Sequence, residues 1–308
     1  MVRADCPDAD IRSSCSYLAG LLGDQLVGTA NETAAWILLE HAGPWGKNAL
    51  RDSDLERDLL AEIERRMSAT GARVQLIAPP PGRRPQWTYL AADPIPPSAG
   101  APWLVRLPGA DPAEVLRIDF AALVAGTVPD GAVTVPEPLY LVCANDMSDP
   151  CCGRTGPPTF AAVSELVGDR SRRTTHLGGH KYAANMMVFP PGLCYGRLAP
   201  GLVAAVVRSA EDGQVHLGQY RGRPAYPLVD QAAEHFLRLA LGLTRIADVR
   251  LVAPGDTAGR PTRFAVTDGR ALDVQVSAEK RDPPRLQSCS DGSPTVPVVW
   301  TCEKVEPV

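Results

Sequence analysis

The stretch Leu139-Tyr140-Leu141-Val142-Cys143-Ala144-Asn145-Asp146-Met147-Ser148-Asp149-Pro150-Cys151-Cys152 decides the fold reading. Its first four residues are a short apolar run, bounded upstream by the Pro- and Gly-rich segment 126–138, which is the pattern of a buried strand. That strand ends on the thiol of Cys143. A helix is expected at about Thr159–Leu166, then two strands, Asn185–Phe189 and Leu193–Leu198, joined by a tight Pro190-Pro191-Gly192 turn. Pro200 stands where a helix through Val207 can begin. Strand, helix, hairpin, helix is the back half of a thioredoxin-like fold.

Upstream, the rhythm is also α/β. Trp36-Ile37-Leu38-Leu39-Glu40 reads as a buried strand running into a Gly43-Pro44-Trp45-Gly46 loop. Ser53 and Glu56 have capping-box spacing, and Leu55, Leu59, Ile63 and Met67 recur at helical spacing up to a stop at Gly71. Strands are expected at Val74–Ile77, Trp87–Leu90, Trp103–Leu107 and Val115–Phe120, with the Pro-rich segment 93–102 as a surface excursion. Downstream, an amphipathic helix from Asp230 to Leu241 ends at Gly242, and Asp268-Gly269 joins a hairpin of Phe264–Val266 and Leu272–Val276. The expected layout is an N-terminal α/β module (residues 1–130), a thioredoxin-like domain (131–228) and a small C-terminal α+β extension (229–308).

Composition narrows the function. The 308 residues are 45% apolar and 21% charged, with net charge −4 and a pI near 5.8. A nucleic-acid backbone binder would carry a basic excess, so no nucleic-acid partner is expected. No apolar run is long enough for a membrane span. The first ten residues hold acids where a signal peptide has its apolar stretch, so a cytoplasmic location is expected. Only four of the 31 basic residues are lysine, a genomic bias that says little about function. There is no Walker A loop, no Gly-x-Gly-x-x-Gly after a strand, no Gly-x-Ser-x-Gly elbow and no Cys-x-x-Cys.

Three of the eight cysteines fall between Cys143 and Cys152. In a reducing compartment such a cluster points to metal or to reactivity. Downstream, His176-Leu177-Gly178-Gly179-His180 sets two imidazoles four residues apart. Cys143, Cys152, His176 and His180 make a complete donor set for a structural zinc or for a mixed-ligand [2Fe–2S] cluster. The wide Cys143–Cys152 spacing leans toward the cluster. So does the glycine pair, which disfavours a helix and lets backbone pass close to a bulky group. Cys151 competes with Cys152 as ligand. Cys194 is expected as a small buried hydrophobe. Cys6, Cys15, Cys289 and Cys302 are expected as structural or free thiols, and His41, His216 and His235 as surface or helix-face residues.

The block Cys143 to Pro158, together with His176-Leu-Gly-Gly-His-Lys-Tyr-Ala-Ala-Asn185 and Pro191-Gly-Leu-Cys-Tyr-Gly-Arg197, resembles the sucrase/ferredoxin-like family. Gly28-Thr-Ala30, Trp36 to Glu40, Gly43 to Gly46 and Tyr220-Arg-Gly-Arg223 resemble it too. Lys181-Tyr182 stands where Arg-Phe is more usual. The resemblance implies a thioredoxin-like [2Fe–2S] ferredoxin ligated by Cys143, Cys152, His176 and His180. Nothing in these residues supports the sucrase half of the family name. The expected function is a one-electron carrier serving a redox partner protein. A structural-zinc or partner-binding module and a cluster-dependent oxidoreductase are the alternatives. Arg154 and Lys181, close to the ligands in sequence, are expected either to tune the site or dock a partner, or to be solvated surface.

Overall fold

The structure, a computed structural model, describes residues 11–95 and 97–308; Cys6 lies outside the described residues. A short helix, α1 (Cys15–Leu21), precedes β1 (Ala35–Glu40), α2 (Arg57–Thr70), β2 (Ala72–Ile77), β3 (Trp87–Ala92), β4 (Trp103–Pro108), α3 (Phe120–Val124) and β5 (Val133–Thr134). Next come β6 (Leu139–Cys143), α4 (Pro150–Val167), β7 (Ser171–Thr174), β8 (Met186–Phe189), β9 (Leu193–Tyr195), α5 (Pro200–Glu211) and β10 (Tyr220–Gly222). The chain ends with α6 (Leu228–Leu241), β11 (Val249–Ala253), β12 (Thr262–Val266), β13 (Ala271–Lys280), β14 (Arg285–Leu286), β15 (Pro294–Thr295) and β16 (Val298–Pro307).

The first ten strands form one sheet, ordered β10-β9-β8-β6-β7-β2-β1-β3-β4-β5. In its second half, β6 and β7 are parallel, β8 runs antiparallel to β6, and β9 antiparallel to β8. With α4 between β6 and β7 and α5 after β9, this is the thioredoxin-like arrangement. The first half repeats it: β1 is parallel to β2, β3 antiparallel to β1, and β4 antiparallel to β3. The two halves join where β2 meets β7 antiparallel, Ile77 opposite Thr174. The chain thus carries the same strand order twice, although only the second copy holds the paired cysteines and histidines.

Alternation along the strands sorts the core. Trp36 and Leu38 of β1 and Leu139, Leu141 and Cys143 of β6 lie in one cluster with Met187 and Phe189. The intervening Ile37 and Leu39 pack with Leu59 and Ile63 of α2, and Tyr140 and Val142 with Val163 of α4 and Val203 and Val206 of α5. Trp36 meets Phe189 edge-to-face at 5.6 Å, which ties the inner faces of the two halves. Both faces of β1 and β6 are therefore covered, which is why these strands read as unbroken apolar runs. The C-terminal extension is a four-stranded antiparallel sheet, β11-β12-β13-β16, with α6 packed on it.

Some expectations need correction. Ser53 does not open α2; its hydroxyl donates to the Leu50 carbonyl, and the helix starts at Arg57. Residues 115–120 do not form a strand. Asp111 and Asp119 accept from the backbone N–H groups of Ala113 and of Ala121 and Ala122, and so open a 3-10 turn (Pro112–Arg117) and α3 instead. His41 is buried, with Nε2 2.6 Å from Asp54 Oδ1. α4 begins at Pro150, well before Thr159, because Asp149 caps it and Pro150 occupies its first turn.

Candidate metal centre

Cys143 is the last residue of β6 and fully buried. The chain then loops back, and Asp149 accepts the Cys151 N–H at 2.8 Å to start α4, which sets Cys151 and Cys152 in its first turn. Two glycines permit this return: a Cβ at Gly156 would lie 2.2 Å from the Cys143 carbonyl oxygen, and one at Gly153 would lie 2.4 Å from Asp146 Cβ. Adjacent positions on a helix point in different directions, so the neighbouring cysteines part company. Cys152 turns toward Cys143, and Cys151 turns toward Cys15 and Cys289.

The histidines arrive on the loop between β7 and β8. His176 Nδ1 stands 3.9 Å from Cys143 Sγ and 3.8 Å from Cys152 Sγ, and His180 Nδ1 3.9 Å from Cys152 Sγ. The two rings stack, 3.8 Å apart and 11° from parallel. All four expected residues therefore converge, and both imidazoles turn Nδ1 toward the sulfurs. Cys143, Cys152 and His176 form the tight group, their donor atoms within 4.8 Å of one another; His180 stands at its edge, on the Cys152 side.

The loop holds this position through contacts that reach across the whole fold. Gly178 and Gly179 take φ of 93° and 75°, and a Cβ at Gly178 would sit 2.2 Å from the Asn31 side chain. The buried Arg221 guanidinium donates to the Gly178 carbonyl at 2.9 Å and to Asn185 Oδ1 at 2.8 Å, while Asn185 Nδ2 donates to the Gly179 carbonyl at 3.0 Å. From the other half of the sheet, Arg73 of β2 donates to the His176 carbonyl at 2.6 Å. Arg221, Asn185, Arg73 and Asp149 position the site, and none was identified as doing so by sequence reasoning. The Tyr220-Arg221-Gly222-Arg223 motif was the one signal for Arg221. Lys181 does not belong to a solvated surface: it is buried, with Nζ 3.1 Å from Asp24 Oδ2. Arg154 is half-buried at the rim of an apolar hollow with Tyr17 and Leu21.

The electrostatics leave one thiol, Cys143, and one imidazole, His180, in metal-binding form, with Cys152 holding the proton that the two thiols share. The hydrogen bond from Cys152 pulls the Cys143 thiol well below its ordinary range, and the same bond pushes Cys152 up. Burial, followed by the neighbouring His176, lowers His180 and keeps its imidazole neutral. A cleft of about 790 Å³ opens beside His176 and His180, lined also by Lys47, Arg51, Arg73 and Asp291.

The topology and the convergent thiol–imidazole set define a thioredoxin-like α/β protein with a candidate Cys/His metal centre. The family model for sucrase/ferredoxin-like proteins matches residues 26–222, and the chain belongs to that family. It is 27% identical over 96 residues to altered inheritance of mitochondria protein 32 of Candida glabrata, covering 26% of this chain and 31% of that one. To the protein of the same name from Debaryomyces hansenii it is 30% identical over 99 residues, covering 29% and 36%. The alignments thus span about a third of those relatives' length. A solved variant of the thioredoxin-like [2Fe-2S] ferredoxin from Aquifex aeolicus is 19% identical, with a TM-score of 0.26, covering 28% of this chain and 100% of that one. No helix among the described residues is long and apolar enough to cross a membrane.

Proposed function

We propose that this protein carries one electron on a [2Fe–2S] cluster held by Cys143, Cys152, His176 and His180. One observation carries the reading: two thiols and two imidazole Nδ1 atoms gather at the end of β6, His176 within 3.9 Å of both sulfurs and His180 3.9 Å from Cys152 at the edge of the group. The donor chemistry fits, since thiolates suit Fe–S clusters and imidazole suits iron. When bound, such a cluster supplies a one-electron couple whose potential lies above that of an all-cysteine centre, because neutral imidazoles replace anionic thiolates.

The chain's own residues do the rest. Turning Nδ1 inward leaves Nε2 of each ring to hold or release a proton at the cleft. Arg73, Arg221 and Asn185 fix the loop carbonyls and hence the ring planes. The covered faces of β6 keep water from Cys143. The cleft favours a second reading, a cluster-dependent oxidoreductase, because titratable groups line it beside the histidines.

The test is iron and acid-labile sulfide content with visible absorption of protein purified without oxygen, before and after dithionite. Two irons and two sulfides per chain, with colour that bleaches on reduction, support the proposal. A colourless protein with one zinc bound by the same four residues overturns it. Reoxidation kinetics then separate carrier from enzyme: dependence on a protein acceptor and on ionic strength marks the carrier, and saturation by a small molecule marks the oxidoreductase.

A further inference from the structure

Cys151 turns its back on the histidines and enters a second group. Its sulfur lies 3.4 Å from that of Cys15, the first residue of α1, and 3.6 Å from that of Cys289, on the loop between β14 and β15. The donor atoms of these three and of Asp149 all lie within 4.8 Å of one another, and all four residues are buried. Sequence reasoning assigned Cys15 and Cys289 as structural or free thiols, with nothing to say that they meet across 274 positions.

The arrangement has the dimensions of a tetrahedral thiolate site. With zinc–sulfur bonds of about 2.3 Å, the sulfur–sulfur edges of a tetrahedron are about 3.8 Å, so these sulfurs need to separate by only a few tenths of an ångström. Polar hydrogens are aimed at the sulfurs. The Cys15 N–H donates to Cys289 Sγ at 3.1 Å, and the Ser16 N–H and hydroxyl face Cys151. Thiols that merely fill a core are weak donors and acceptors and do not need such partners. Asp149 is held rigid beside them, one oxygen accepting from Cys151 N–H and the other from Ser288 Oγ and Cys289 N–H, each at 2.9 Å for the latter pair.

We propose that Cys15, Cys151 and Cys289, completed by Asp149, bind a single zinc ion as a closed structural site. Four protein donors leave no open position for substrate, the mark of a structural zinc. The ion ties α1 and the β14–β15 loop to the first turn of α4, and so fixes the helix position from which Cys152 reaches the other centre. The proposal does not rest on the [2Fe–2S] reading, although the two sites adjoin: Asp149 Oδ2 lies 3.9 Å from His180 Nδ1.

The experiment uses the full chain carrying His176→Ala and His180→Ala, which disables the other centre. Zinc content and zinc-edge X-ray absorption are measured after expression with zinc. The expected result is one zinc per chain with three sulfur neighbours and one oxygen. Cobalt(II) offered to the metal-free protein should give thiolate charge-transfer absorption, lost by 100-fold or more in affinity with Cys15→Ala or Cys289→Ala and kept with Cys194→Ala, a buried cysteine outside the group. The sulfur count needs no cysteine variant, so a misfolded one does not blunt the test. Two or fewer sulfur neighbours, no bound metal, or a peptide mass 2 Da low from a Cys15–Cys151 disulfide would overturn the proposal. None of these outcomes bears on iron content in the parent chain.

Discussion

Replacing Asp149 with alanine should release the 287–290 segment from α4. The carboxylate is fully buried and accepts from Cys151 N–H at 2.8 Å and from Ser288 Oγ and Cys289 N–H at 2.9 Å. The capping bond is worth about 1 kcal/mol to the helix. A hydrogen bond to a charged acceptor contributes about 1.5–3 kcal/mol, so the two shorter of its three bonds to the segment contribute about 3 kcal/mol at the low end, before the longer one from Ser290 N–H at 3.3 Å. At 1.4 kcal/mol per tenfold, local opening should become about 150-fold more frequent. Hydrogen exchange of the peptide spanning Gln287 to Gly292, on reduced and metal-free chain, reads this directly. Asp146→Ala, at an exposed loop position nearby, is the control and should leave exchange unchanged. Unchanged exchange in Asp149→Ala would refute the view that this carboxylate holds the C-terminal loop on the site.

Gly178→Ala should cost more than 2 kcal/mol of loop stability and reduce metal occupancy, since φ is 93° and a Cβ would lie 2.2 Å from Asn31; normal occupancy by metal analysis would contradict this. Arg221→Lys loses the fork that donates to Gly178 and Asn185, and should speed exchange of residues 177–185 by 30-fold or more, read by mass spectrometry. Burial lowers the His235 pKa below its ordinary 6.5, so the unfolded chain takes the proton first and stability falls as pH drops below about 6.5. His235→Gln should therefore flatten the decline in unfolding midpoint between pH 7 and 5.5, by at most about 1.4 kcal/mol per pH unit; parallel curves would rule this out. With histidine ligands, the reduction potential should fall as pH rises past the oxidised state's imidazole pKa, approaching about 59 mV per unit, and a flat potentiometric profile from pH 6 to 10 would contradict it.

Elements whose residues agree with their surroundings were legible. Trp36–Glu40 and Leu139–Val142 are apolar throughout because both faces of those strands are covered. Gly71 and Gly242 mark helix ends because both adopt left-handed φ there. β7 was missed because its Ser-Arg-Arg-Thr sequence is polar; the buried Arg172 donates to the neighbouring Asp169 and Ser171 carbonyls and to Tyr89 Oη at 3.3 Å, with the Glu40 carboxylate 3.7 Å away as an ion pair only. The early start of α4 was hidden by Pro157 and Pro158, which lie inside the helix although proline disfavours a helix interior. Within the site, spacing pointed to Cys143, Cys152, His176 and His180. It left Cys151 open, because only helix geometry shows that the two cysteines face opposite ways. The duplicated strand order was invisible, since topology can repeat while the residues do not.

The central claim is most directly tested by pulsed EPR of the dithionite-reduced protein with nitrogen-15 in its histidines. The account predicts an S = ½ signal coupled to two histidine nitrogens, of which one coupling disappears in His176→Cys and one in His180→Cys. A reduced signal without histidine coupling, or no signal from a protein that holds zinc in its place, would contradict it.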